Sequence, residues 1–279
     1  MMEQSTMASV RRFTTQIRSN TKLTSTVFDL RVTVPDASFI PGQFVNLYLN
    51  RGDYMLPRPI SIADGNDGEF RFLFAVVGKG TELLSQLKAG DSLDMTTTLG
   101  NGFAMSGLAS MFAVGGGIGV PPVYAAAKRA NMAGKDVTAV VGFRSEPILL
   151  DELAAEIGAE RVHCAIEEKG AIPDLEKRYP AVSFTYGNVV DILRKIVSLD
   201  MGRAAMVACG PTPMLKALQS FASPDRFEFQ LSLEERMGCG FGCCAGCVAE
   251  IRDLGTGKIQ RLGVCSKGPV FAGETVVFA

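Results

Sequence analysis

The sequence predicts a multidomain α+β protein: an N-terminal antiparallel β-barrel over residues 1–106, a doubly wound α/β domain over 107–225, and a small cysteine lobe over 226–279. Three observations predict it. Short alternating runs such as "STVFDLRVTV", "GQFVNLYL" and "FRFLFAVV", punctuated by "PDASFIPG", "KAGD" and "LGNG", read as barrel or sandwich strands. Apolar runs ("SMFAVGG", "DVTAVVGF", "RVHCAI", "AVSFTYG", "AAMVACG") then alternate with helical stretches, the pattern of a parallel sheet covered on both faces. Finally, five of the seven cysteines fall in the last part, which is too short to bury much core and calls for a bound group as a staple.

Composition excludes several function classes. With 279 residues, a net charge of −1 and 20% charged residues, the chain carries no basic footprint for nucleic acid and no polybasic membrane patch. The run "MFAVGGGIGVPPVYAAA" is broken by Gly and Pro, and it falls short of the roughly 18 uninterrupted apolar residues of a membrane span. Arg11-Arg12 is followed by the polar "IRSNTKLTS", so no export signal is expected and a cytoplasmic location is. The single histidine, His163, rules out a poly-His metal site and reads as a strand residue in "RVHCAI". Seven clustered cysteines are too few for a disulfide scaffold and point to a metal or cluster in a reducing compartment.

In the barrel, "LPRPISIAD" sets Arg58, Pro59, Ile60 and Ser61 on a strand, where a forked guanidinium beside a hydroxyl suits a phosphate and a ribityl chain. "VVGKGTELLSQL" then brings Gly78, Gly80 and Thr81 to a helix start, which favours an anion. Each motif alone fits a surface ion pair or a plain turn; together they favour a flavin pyrophosphate clamp. This part resembles the ferredoxin-reductase-like flavoprotein superfamily. The resemblance implies FAD, with Arg58, Pro59, Ile60 and Ser61 flanking the flavin, Gly80 and Thr81 on its pyrophosphate, and Leu73, Phe74 and Ala75 on the adenosine side. Relatives often carry Tyr or Arg in that last strand, and Phe74 and Ala75 depart from this.

In the α/β domain, Gly115, Gly116, Gly117 and Gly119 join a strand to a helix that starts at "VPP". The pattern is not G-x-G-x-x-G, and four glycines exceed what a bare connection needs. Cys209, Gly210 and Pro211 end another buried strand, and Thr212 reads as an N-cap with Pro213 at the first helical position. Ligands of open α/β sheets sit at such carboxyl ends. The resemblance places a nicotinamide dinucleotide over both turns. Arg144 could hold a 2′-phosphate or pair with Glu146 or Asp151, so these residues leave NAD and NADP open.

The lobe opens with "ERMGCGFGCCAGC". Cys239, Cys244 and Cys247 make C-x4-C-x2-C, the plant-type ferredoxin spacing, and Cys265 supplies a fourth ligand after 17 residues. Zinc ribbons use two C-x2-C pairs, so the spacing favours a 2Fe–2S cluster. Cys243 is surplus, and Cys164 reads as a buried thiol. "LEERMGCGFGCCAGC" and "VCSKGPVF" resemble the electron-transfer subunits of bacterial two-component NAD-linked dihydroorotate dehydrogenases, as does the domain order along the whole chain. That resemblance implies an FMN-containing catalytic subunit as partner in a heterotetramer of two of each. It also implies electron flow through 2Fe–2S and FAD to NAD⁺, a role in pyrimidine biosynthesis, and the cluster loop as the contact surface. The alternative is the related small subunit of an NAD(P)H:ferredoxin oxidoreductase or sulfide dehydrogenase, which typically has Asp where this chain has Cys239.

Overall fold

The computed structural model describes residues 10–49, 55–66, 68–198 and 201–278. Six strands form the N-terminal barrel: β1 (Arg12–Lys22), β2 (Val27–Thr33), β3 (Phe44–Tyr48), β4 (Arg58–Asn66), β5 (Glu69–Ala75) and β6 (Ser92–Thr96). They close in the order β1-β2-β5-β4-β3-β6, with β6 antiparallel to β1, so no edge is left open. The expected alternation holds: Leu30, Val32, Val45, Leu47, Phe72, Phe74, Leu93 and Met95 fill the interior. Helix α1 (Lys79–Ser85) follows β5 and packs Leu83 and Leu84 into the same core. The Asn20 side chain donates to the carbonyls of Leu84 (2.9 Å) and Leu87 (2.9 Å), pairing groups that the helix end leaves unsatisfied.

The second unit runs β7 (Ser110–Gly116), α2 (Val120–Met132), β8 (Asp136–Phe143), α3 (Leu150–Ile157), β9 (Val162–Ile166), α4 (Ile172–Arg178), β10 (Ser183–Tyr186), α5 (Val189–Ile196), β11 (Ala204–Cys209), α6 (Thr212–Phe221) and β12 (Phe227–Ser232). The sheet order is β10-β9-β8-β7-β11-β12, all parallel. The strand order therefore reverses between β7 and β11, the switch point where open sheets bind ligands. Two buried clusters, one on each face of the sheet, confirm the doubly wound layering.

The C-terminal part adds β13 (Val248–Arg252), β14 (Ile259–Gly263), α7 (Val264–Lys267), β15 (Val270–Ala272) and β16 (Val276–Val277). Strands β14-β13-β16 make a small antiparallel sheet, whereas β15 pairs antiparallel with β12 at the edge of the large one. Three expectations shift. The sheet runs past the expected 225/226 boundary, because β12 hydrogen-bonds to β11 along its whole length. Thr212 is the first helical residue of α6 rather than its N-cap, a role taken by Pro211. Helix α4 was not anticipated; it fully buries no residue, and only Ile172 and Leu175 pack partly on the core, too short an apolar pattern to read.

Charged groups join barrel to sheet. Arg71 on β5, 8% exposed, donates to Asp29 (3.0 Å) and to Glu152 of α3 (3.0 Å). Lys128 of α2 pairs with Asp64 at 2.7 Å, and the backbone N–H of Ser25 donates to Glu146 at 3.1 Å. Removing Arg71 strands the buried Asp29 carboxylate without its hydrogen-bonding cation. Arg71→Met is therefore expected to cost about 3 kcal/mol and to lower the thermal midpoint by several degrees. Lys128→Met, at a more exposed pair, is expected to cost about 1 kcal/mol or less. Equal effects in thermal melts would remove the distinction between the two clamps.

Candidate functional site

Barrel, sheet and lobe each bring one group of residues to the site. On the barrel, Arg58 begins β4 and leans over the first turn of α1. A Cβ on Gly80 would come within 2.5 Å of Arg58 Nη1, so only glycine lets the guanidinium settle there. Arg58 Nη2 donates to the Leu56 carbonyl at 2.8 Å, while Nε is buried and has no partner. A buried cationic donor left unpaired is costly. Together with a glycine helix start beside it, the geometry fits an anionic group such as a pyrophosphate.

The other barrel residues divide. Pro59, Ile60 and Ser61 follow Arg58 on β4, half-buried and in register with Asn46, Val45 and Phe44 of β3. Ile60 packs on the barrel core. The Thr81 hydroxyl is already engaged: it donates to the Gly78 carbonyl (3.0 Å) and accepts from the Val77 N–H (3.0 Å). It shapes the loop instead of presenting a free donor. On β5, Phe74 is turned into the barrel core and stacks on Phe28 with centroids 5.7 Å apart. Leu73, on the opposite face, is sealed in the core beneath α2. Ala75 alone of the three is partly exposed.

At the switch point, the two expected turns meet. Cys209 at the end of β11 lies in register with Gly115 of β7. The glycines turn out to serve packing as much as ligand approach. Gly115 backs onto Val120 and Gly116 onto Met214. Gly119 at the start of α2 passes so close to β11 that a Cβ would lie 2.5 Å from the Cys209 carbonyl oxygen. Gly117, by contrast, has a positive φ of 54° and open space where a side chain would go, so the turn presents bare backbone to the cleft. Gly210 and Pro211 face Met214 and Gly116. Gly119→Ala is expected to destabilise the chain by about 1–3 kcal/mol through overpacking, read as a lower thermal midpoint. Gly117→Ala should leave packing undisturbed and meet only backbone strain. The Cys209 thiol is pushed up to about 12 by burial and hydrogen-bonds Ser232, so it is a neutral packing group. Arg144 pairs with Glu168 at 2.8 Å, neither Glu146 nor Asp151 being its partner, and is 82% exposed.

In the lobe the chain gathers its sulfurs. Cys239 lies beside Cys244, whose backbone N–H donates to its Sγ at 3.4 Å, and Cys247 beside Cys265, whose N–H donates to its Sγ at 3.4 Å. The thiols gather as two pairs, which fits a dinuclear cluster with two protein sulfurs on each iron. Backbone N–H groups aim at them: Cys243 (3.2 Å) and Cys244 (3.4 Å) at Cys239 Sγ, Gly242 (3.2 Å) at Cys265 Sγ, and Cys265 (3.4 Å) at Cys247 Sγ. Burial would raise the Cys239 thiol, but the N–H groups of Phe241, Cys244 and Cys243, with the Cys244 side chain, outweigh it and bring it down to about 6, which favours the thiolate, the form that binds metal. Cys265 is pushed up to about 12, by burial first and by its bond to Cys247 next. Cys243 lends its N–H but is exposed, and Cys164 is a fully buried thiol in β9. All seven cysteines are free.

One residue was not legible in the sequence. Asn46 on β3 donates from its side chain to the Cys239 carbonyl at 2.8 Å, across 193 positions of chain. Its only sequence signal is a polar residue inside the apolar run "FVNLY".

Residues 234–277 match the family model described as the iron–sulfur cluster binding domain of dihydroorotate dehydrogenase B. The chain is 38% identical over 247 residues to a Geobacillus sp. (strain WCH70) protein named dihydroorotate dehydrogenase B (NAD(+)), electron transfer subunit, covering 85% of this chain and 87% of the relative. An Enterococcus faecalis (strain ATCC 47077 / OG1RF) protein of the same name is 35% identical over 243 residues, covering 85% and 86%. Among solved structures, a chain of the NADH-dependent reduced ferredoxin-NADP oxidoreductase, studied for flavin-based electron bifurcation, superposes with a TM-score of 0.78 at 28% identity. It covers 94% of this chain and 89% of its own.

Proposed function

The chain belongs to the family of electron transfer subunits of dihydroorotate dehydrogenase B (NAD(+)), and on that premise we propose how its own residues carry the function. It is an oxidoreductase component with FAD, a 2Fe–2S cluster and NAD as cofactors. Flavin supplies the exchange between two-electron hydride transfer at a nicotinamide and one-electron transfer at an iron–sulfur cluster.

In this reading Cys239 with Cys244, and Cys247 with Cys265, are the ligand pairs of the two irons. The N–H groups of Gly242, Cys243, Cys244 and Cys265 solvate the negative sulfurs. Arg58 binds the flavin pyrophosphate, using the Nε donor that has no protein partner. Gly80 keeps the space above α1 free for the guanidinium, and Thr81 holds the loop by bonding to Gly78 and Val77. Pro59, Ile60 and Ser61 form the strand wall beside the flavin, with Ala75 the exposed residue on the adenosine side. The bare backbone at Gly117 and the Cys209-Gly210-Pro211 turn bound the nicotinamide cleft at the switch point. None of these residues has to move a proton; their work is placing redox groups within reach of one another.

The donor side lies on a separate subunit. We assign that role to an FMN-containing catalytic subunit that oxidises dihydroorotate, in an assembly with two copies of each, located in the cytoplasm. No helix among the described residues is long and apolar enough to cross a membrane. The exposed Phe241 on the cluster loop, and Met55 and Leu56 just before Arg58, supply apolar surface for the partner. Met237, four residues before Phe241, packs partly against the core. The ferredoxin oxidoreductase reading has the 0.78 superposition in its favour; the thiol at Cys239 and the higher identity of the dihydroorotate dehydrogenase relatives weigh against it.

The observation that carries this function is the gathering of four thiols into two pairs under backbone donors. The test is copurification with cofactor analysis, followed by NADH-driven dye reduction. About two irons and one FAD per chain, with an FMN protein retained, are expected. A colourless zinc protein, or NADH-linked activity with no FMN partner, would overturn it.

A further inference from the structure

Strand β3 faces two different interiors. Val45 and Leu47 point into the barrel, while Phe44 packs with the core that holds Cys247 and Cys265. Asn46, in phase with Phe44, is fully buried beneath the cysteine lobe. Its backbone N–H donates to Thr96 Oγ1 at 3.0 Å, which ties its place on the strand to β6. Its side-chain Nδ2 donates to the Cys239 carbonyl at 2.8 Å, and its Oδ1 is buried with no partner. Gly240 crosses directly over this amide with φ of 81°, and a Cβ there would lie 2.3 Å from Nδ2. Amide and glycine are thus fitted to each other. The other side of Asn46 is equally defined: in the ladder it stands opposite Pro59, one residue from Arg58.

We propose that Asn46 is a positioning residue that pins the cluster loop to the flavin-side strand, and through the Cys239 carbonyl sets the N–H donation onto Cys239 Sγ. The inference rests on the ligand assignment above. A buried amide is held here although an apolar residue would cost less at a strand position with one unsatisfied oxygen. What it provides is a fixed carbonyl at the first peptide of a glycine-rich turn. Donors further along that turn, Cys243 N–H and Cys244 N–H, reach Cys239 Sγ. Donation to cluster sulfur stabilises the reduced, more negative state and so raises the potential. Releasing the carbonyl lets the turn drift and weakens that donation.

The test compares the iron–sulfur midpoint potential and the electron paramagnetic resonance of the reduced cluster in the complete complex. It uses native protein, Asn46→Leu, Asn46→Ser and Asn101→Ala. Asn101 also ties barrel to lobe, donating to the Val270 carbonyl (2.8 Å) and accepting from the Val270 N–H (3.0 Å), but it touches no cysteine. Iron in the native protein is measured first; its absence would sink the ligand assignment itself and not merely this inference. With iron present, both Asn46 variants are expected to retain FAD and to show a changed resonance signal. Their reduction equilibrium should weaken about tenfold, a fall of about 59 mV for one electron. Asn101→Ala should lower thermal stability and leave signal and potential alone. If Asn46→Leu does not fold, Asn46→Ser, smaller and polar, decides. A native-like potential and signal in Asn46→Ser, or an equal shift in Asn101→Ala, overturns the proposal.

Discussion

Cys244→Ala is expected to strip the chain of its cluster, and Cys243→Ala to keep it. The two residues are adjacent and both exposed, so accessibility does not separate them. Their contacts do. Cys244 donates its backbone N–H to Cys239 Sγ at 3.4 Å, and its own Sγ lies 3.2 Å from where a Cβ on Gly238 would be. Glycine at 238 therefore eases the fit of that sulfur. Cys243 contributes its backbone N–H to Cys239 Sγ at 3.2 Å, and alanine retains that N–H. Iron should fall from about two per chain to near zero in Cys244→Ala, with loss of the visible absorbance and of the resonance signal. Cys243→Ala should match native in all three. The opposite pattern would mean that the ligands follow C-x3-C-x3-C and that the loop is threaded differently.

Arg58→Ala is expected to weaken FAD binding by about 30- to 150-fold, the equivalent of about 2–3 kcal/mol for charge-assisted hydrogen bonds to phosphate. The guanidinium is held in place by the Leu56 carbonyl at 2.8 Å and by the clearance above Gly80, and its free Nε is buried. Arg58→Lys should recover little, because an ammonium cannot both hold the carbonyl and fork onto a phosphate. Flavin retained after gel filtration, followed by fluorescence titration, measures this. Iron content should be unchanged in both variants, since Arg58 contacts no cysteine. An Arg58→Ala protein that keeps FAD at native affinity would place the pyrophosphate elsewhere.

Much of this was legible in the chain. Strands "SMFAVGG" and "DVTAVVGF" appear with the bounds their composition suggested, Ser110–Gly116 and Asp136–Phe143, because buried parallel strands are uniformly apolar and end abruptly. The cysteine spacing pointed to the sulfur-bearing loop, because the ligands of one loop must lie within a few residues. Other features were not legible. Phe74 stood beside plausible cofactor residues in sequence, yet strand parity sends its ring into the barrel. Thr81 looked like a phosphate donor, but its hydroxyl is spent on its own loop. The glycines around β7 suggested a ligand; Gly119 is there because a carbonyl of β11 passes 2.5 Å from its missing Cβ.

By itself, then, the sequence determined the domain order, the alternation of the barrel, the layering of the parallel sheet and the identity of the sulfur loop. Each of these follows from local periodicity or from the spacing of a few residues. Only the tertiary structure decided that β12 belongs to the sheet and not to the lobe, and that Asn46 holds the Cys239 carbonyl. These depend on contacts between segments brought together from up to 193 positions apart, and no local pattern encodes a partner at that distance.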